Sequence, residues 1–229
     1  MLTEARAALA GIALICAGAT VRAETPRDLL THASFHDRDK AVAIKRVALA
    51  HAAAAAQLQR SPNDREAALM QATALGYRAK LTGSRGDAIA ARKVMEQLVA
   101  RVPSDPERQV VLGAWHMGAV HKLGRMVARA ALGASKSAGI AALDRAVALG
   151  GGRAMFPALA GMLRLEMDPT DPRGRALVEA AARGATPTAI DRQLQRGAAA
   201  VLKPLRAGDK DATRKLASLM LPFGRIDGN

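Results

Sequence analysis

From Asp39 to Met220 the apolar residues recur by steps of three and four, and helix-breaking residues interrupt them at intervals. Met70, Ala74, Tyr77 and Leu81 follow this spacing. So do Ala91, Met95, Leu98 and Val102, and then Met155, Leu159 and Met162. It is the period of a helix with one apolar face, which needs a neighbour to cover it. No stretch alternates by two for long enough to make a strand. The breaks are Ser61-Pro62-Asn63-Asp64, Val102-Pro103-Ser104-Asp105-Pro106, Gly150-Gly151-Gly152, Asp168-Pro169, Asp171-Pro172 and Thr186-Pro187. Proline stops the preceding helix, and Ser, Thr or Asp caps the next. Ser104 and Glu107 have the spacing of a capping box. The pattern predicts helices over 39–60, 64–82, 87–102, 105–132, 136–149, 154–167, 172–183, 188–203 and 209–220, with a short one near 26–35.

The stretch 108–132 is the most apolar. Val110, Val111, Leu112, Trp115, Met117, Val120, Leu123, Met126 and Val127 run most of the way round a helix. Such a helix is expected at the centre of the molecule, with Trp115 as the core anchor. Gly113, Gly118 and Gly124 are expected to let neighbouring helices approach.

A chain of 229 residues is long enough for one sizeable core without disulfides. Aromatic residues make up 2% of it, which argues against a sandwich or barrel and against stacking platforms for single-stranded nucleic acid. Residues 1–23 read as a secretory signal peptide: a short charged start, an apolar run from Ala7 to Thr20, and Val21-Arg22-Ala23 as the cleavage signal. The run is too short to span a bilayer. Cys16 follows Ile15, whereas a lipid-attachment box wants a small residue there, so this single Cys is expected to leave with the peptide. The expected product is periplasmic and soluble after cleavage, with one helical domain over 24–221 and a frayed tail over 222–229.

Arg60, Pro62, Asp64 and Glu66 recur as Arg101, Pro103, Asp105 and Glu107, an offset of 41. The stretch 64–106 resembles a tetratricopeptide-repeat helix pair. Leu75-Gly76 lies in its first helix, Ala90 and Ala91 in its second, and Pro103 followed by Asp105 ends it. Residues 40–62 and 136–167 share the resemblance loosely. Three features depart from the family: the offset exceeds the usual repeat of about 34, no Trp opens the first helix, and Tyr77 sits too close to Leu75-Gly76. The fold class expected is all-α: stacked antiparallel helical hairpins, either a tetratricopeptide-like right-handed solenoid or an irregular helical bundle. The resemblance implies a concave face that binds proteins or peptides, without catalysis by the repeat.

Motifs of catalysis and phosphate binding do not occur: there is no G-x-x-x-x-G-K-[ST], G-x-G-x-x-G, H-E-x-x-H or G-x-S-x-G. Asp28, His32 and His36 would share a helix face and could offer metal ligands, or simply form a polar N-terminal helix. His116 and His121 are five apart and do not converge. Gly150 to Gly152 and Arg153 precede a helix start, where an anion or a plain turn fits. Glu96, Glu107 and Glu166 stand alone in the sequence.

The positive signal is basic. There are 34 Lys and Arg against 20 Asp and Glu, a formal net charge of +14. Lys122, Arg125 and Arg129 are spaced as a stripe on one helix face, as are Arg192, Arg196 and Lys203, with Lys210, Arg214 and Lys215 beyond. Stripes of like charge are solvated faces or docking sites for an acidic protein or peptide, or for an anionic membrane surface. Nucleic acid matches the charge but not the export signal. The sequence therefore leads to an exported, non-catalytic helical interaction module of the bacterial cell envelope, with no cofactor and no metal. The alternative is an accessory small-ligand-binding component of an envelope transport system, its cavity lined around Trp115, His116 and Met117.

Overall fold

The computed structural model describes residues 24–226, and within them eleven helices and no strand. The expected signal peptide, residues 1–23, lies outside the described residues. The helices are α1 (Pro26–Phe35), α2 (Lys40–Arg60), α3 (Arg65–Thr82), α4 (Arg85–Arg101), α5 (Pro106–Leu123), α6 (Arg125–Leu132), α7 (Lys136–Leu149), α8 (Met155–Met167), α9 (Pro172–Ala182), α10 (Ala189–Arg206) and α11 (Lys210–Met220). The molecule is all-α.

Side-chain caps set most of the starts. Asp39, Asp64, Ser84, Ser135 and Asp209 each accept a hydrogen bond from a first-turn amide of α2, α3, α4, α7 and α11. Thr25 with Asp28, and Thr188 with Asp191, form full capping boxes on α1 and α10. The box expected from Ser104 and Glu107 does not form. Pro106 takes the first helical position, so Asp105 becomes the cap and accepts from the Glu107 and Arg108 amides at 2.9 and 3.3 Å. The Glu107 carboxylate is released for another use.

One helix expected over 105–132 is two. Gly124 (φ 76°, ψ 159°) adopts a backbone conformation reserved almost wholly for glycine and turns the chain between α5 and α6. The other two glycines of that run also differ from one another. A Cβ on Gly113 would stand 3.0 Å from the Gly139 carbonyl oxygen of α7, so this glycine brings α5 and α7 together, whereas Gly118 faces open space.

Helices α1 to α4 pack on one another in sequence order. Their core holds Leu30, Val47, Met70, Leu81, Met95 and Leu98. By length and composition α2 is apolar enough to cross a membrane; its Ala43, Val47, Ala50 and Ala54 face packs on α1 and α3, and Val42 and Leu49 of the same helix are exposed. At Gly76 an added Cβ would lie 3.0 Å from the Met95 side chain and 3.8 Å from the Ala91 Cβ, a close crossing of α3 and α4. The second half gathers around α8, which touches α5, α7, α9, α10 and α11. Every residue of α8 from Ala158 to Glu166 is buried. It holds the central place expected of 108–132. The difference is depth: α8 is buried at nearly every position, while α5, though touched by α3, α4, α6, α7 and α8, fully buries only Arg108, Gln109, Val110, Gly113, His116, Met117 and Val120 and leaves Val111, Leu112, Ala114 and Trp115 partly buried. Leu123, Met126 and Val127, expected inside, are exposed.

Trp115 is half-buried rather than the core anchor. It bridges the α1–α4 core and a small cluster of Val120, Ala128, Leu132 and Ala134 beneath α6. The fully buried aromatics are Phe156 and Phe223. Phe223 lies in the stretch expected to fray. Its amide donates to the Ser34 carbonyl at 2.8 Å, its ring meets Tyr77 edge-on at 4.8 Å, and Ile226 is buried beside it. The segment 221–226 is therefore a strap across α1 and α3.

Candidate functional site

The arrangement of charge is the most distinctive chemical property of this structure. Each Asp and Glu from Asp28 to Asp211 is engaged. Asp28, Asp39, Asp64, Asp105, Asp171, Asp191 and Asp209 cap helices. Asp37, Asp87, Glu96, Asp144, Glu179 and Asp211 meet arginines, Asp168 takes the Thr170 hydroxyl, and Glu166 lies 3.6 Å from His121 Nε2. With the acids used inside the fold, the cationic excess is left outside.

Glu66 and Glu107 belong to a chain of ion pairs that joins distant elements. Arg27 Nε of α1 lies 2.6 Å from Glu66 of α3, and Arg27 Nη2 lies 2.6 Å from Glu107 of α5. Arg153, in the turn before α8, lies 2.8 Å from Glu107 and 3.1 Å from Asp191 of α10. Asp191 is fully buried, and also accepts from the Thr188 hydroxyl at 2.6 Å and the Met155 amide at 3.2 Å. Burial alone would lower the Arg153 pKa; its bonds to Asp191 and Glu107 outweigh that and hold it above the usual arginine value. The start of α8 thus takes an anion, as Gly150 to Arg153 allow, but the anion is the protein's own Asp191. A shallow cavity of about 350 Å³ opens over this network, with Arg27, Arg65, Glu66 and Glu107 in its wall. Arg27 and Arg153 in that wall are already matched by carboxylates.

Asp28, His32 and His36 do not converge as a ligand set. Asp28 is committed to the Thr25 box, and the two imidazoles pack at 5.2 Å. Among the described residues no group of three potential ligands is assembled. His116 is buried, its Nδ1 accepting from the Ser135 amide at 3.3 Å, and burial first, then the Arg92 charge, push its pKa down to about 4. A Cβ on Gly139 would lie about 3 Å from both His116 Cβ and Met117 Cγ, so these two residues pack against α7 instead of lining a cavity.

The basic residues divide into two places. Arg192, Arg196 and Lys203, with Arg206 after them, form an exposed ridge along one face of α10. It runs for about 21 Å at the helical rise of 1.5 Å per residue. Arg196 donates to Gln193 and Arg192 to the Thr186 carbonyl, and no member of the ridge meets a carboxylate among the described residues. Lys122, Arg125 and Arg129 are exposed too, but the turn at Gly124 separates Lys122 from the other two. Arg125 and Arg129 border a second cavity, of about 340 Å³, with Lys136, Ser135 and Ser137 of the α7 start across from them. Sequence spacing found the ridge because it lies within one helix. It missed the ion-pair chain because Arg27, Glu107 and Arg153 are tens of residues apart. No family model, curated protein or solved structure matches the chain.

Proposed function

We propose that this chain is an exported, all-helical interaction module of the bacterial cell envelope, non-catalytic, which takes an acidic protein or peptide on a basic face. The observation that carries the reading is the sorting of charge: carboxylates are spent on caps and internal ion pairs, and the α10 ridge of Arg192, Arg196, Lys203 and Arg206 is left bare. Aligned like charges repel by a few tenths of a kcal/mol per pair, a cost that an acidic partner removes. The helix pair resembling a tetratricopeptide unit corresponds to α3 and α4, and Gly76 and Ala91, on which that resemblance rests, meet at their crossing. Export follows from the N-terminal reading of residues 1–23.

The test is a pull-down from the native envelope with wild-type chain and with Arg192→Glu, Arg196→Glu, Lys203→Glu combined. An acidic protein retained by wild type and lost at least tenfold by the variant, with unchanged circular dichroism, supports the reading. Identical capture by both baits overturns it. N-terminal sequencing of the native protein checks export separately, since an unprocessed Met1 start removes the envelope assignment.

A further inference from the structure

The corner between α5 and α6 is unlike the α10 ridge in one respect: its cations stand beside exposed apolar side chains. Leu123 is 40% exposed, Met126 86% and Val127 55%. In α6 the buried residues are Ala128 and Leu132. At about 100° per residue, Met126 and Ala130 then point directly away from the protein, Val127 lies to one side, and Arg125 and Arg129 lie to the other. α6 is held firmly in this attitude. Arg85 Nε donates to the Ala131 carbonyl at 3.2 Å and Arg92 Nη1 to the Gly133 carbonyl at 3.1 Å, both from α4. The apolar residues are therefore presented at a fixed, convex tip.

The basic flank of that tip opens on the 340 Å³ cavity. Arg125, Arg129 and Lys136 approach it from α6 and α7, Ser135 and Ser137 add hydroxyls, and Ile140 forms an apolar side. Its lining contains no carboxylate. Lys136 feels the charge of Asp168, which is already bonded to Thr170. Lys122 adds a further cation at the end of α5.

We infer that this corner docks on an anionic lipid bilayer, with Leu123, Met126 and Val127 entering the interface and a headgroup phosphate seated between Arg125, Arg129 and Lys136. Charge complementarity selects the occupant. The tip requires a phase that is apolar on one side and anionic on the other within a few ångströms, which is the boundary between acyl chains and acidic headgroups. A convex tip cannot enclose a partner, but it can enter a fluid surface. This surface is distinct from the α10 ridge, so either assignment can fail alone.

The test is flotation with vesicles of phosphatidylcholine alone and of phosphatidylcholine with roughly a third phosphatidylglycerol. The full chain is compared with Met126→Ser/Val127→Ser, with Arg125→Gln/Arg129→Gln and with the ridge variant Arg192→Gln/Arg196→Gln. All six positions are exposed, and circular dichroism confirms that each variant is folded. The inference expects wild type to float with the phosphatidylglycerol vesicles only. The serine pair should lose about tenfold in partitioning at unchanged charge, the corner glutamines about thirtyfold, and the ridge variant little. Equal losses from corner and ridge variants would show unspecific charge attraction and overturn it. Undiminished binding by the serine pair would overturn insertion, and would place any affinity elsewhere in the chain. Titration with inorganic phosphate separates the sources: saturable phosphate binding without flotation means a free anion is the ligand, and the membrane assignment fails.

Discussion

His116 shows how a single residue can join packing to pH. It is neutral in the fold because burial, with Arg92 nearby, disfavours its charged form, and Nδ1 is occupied by the Ser135 amide. Its folded pKa of about 4 lies below the ordinary histidine value of 6.5. The unfolded chain therefore takes the proton first as pH falls. Stability is unaffected above about pH 6.5, declines below it, and the loss is complete near pH 4. His116→Asn keeps an acceptor for Ser135 and cannot titrate. Urea denaturation across that range should show wild type losing on the order of 2 kcal/mol more than the variant. Parallel curves would mean that His116 is solvated. The sequence places His116 in an apolar run, where burial is the expected fate of a side chain. It gave no sign of Ser135 as partner, nor that Glu107 would pair with Arg27 and Arg153, because those contacts belong to the tertiary fold.

At the level of elements the chain is legible because its punctuation is local. Caps and prolines act over three or four residues, so Asp64, Pro106, Asp171 and Thr188 mark starts that the structure reproduces within two positions. Gly124 is the instructive failure. Its neighbours continue the helical period on both sides, and a glycine within a periodic run reads as a weak spot rather than a turn. What decides is the cluster of Ala128, Leu132 and Ala134, which packs against Trp115, Ile89 and Val120 only if α6 swings away from the α5 axis. Gly124→Ala forces a β-carbon into φ 76° and should cost about 1–3 kcal/mol by thermal or chemical denaturation. A gain in stability would mean that α5 and α6 can fuse into one rod, and the exposed tip would be lost with the turn. The same element reasoning explains why 108–132 is not the central helix. The sequence period sets these apolar residues around one continuous axis, whereas in the structure the axis breaks at Gly124 and Leu123, Met126 and Val127 are on the outside.

Across the whole molecule, two layers of organisation hold the halves together. One is the ion-pair chain from Arg27 through Glu107 and Arg153 to Asp191; the other is the strap of residues 221–226. The strap is not legible in the sequence, since Gly224, Gly228 and a polar ending resemble a loose terminus. Phe223 nevertheless fills a space that α1 and α3 leave open, with Lys80 Nζ donating to the Pro222 carbonyl at 2.8 Å. Phe223→Ala should destabilise the protein by about 3–5 kcal/mol, the range for buried aromatics, read from the urea midpoint. A change below about 1 kcal/mol would return the segment to the frayed tail that its composition suggests. The strap also sets an order in time. Synthesis delivers a chain from its N-terminus, so α1 to α4 emerge well before the residues that complete their core. That first layer stays unsealed until Phe223 arrives, nearly two hundred positions after Ser34, the residue whose carbonyl receives it. Closure across so long a separation is slow. The N-terminal half thus remains pliable for as long as the C-terminal end is still on its way, and a chain cut short never locks.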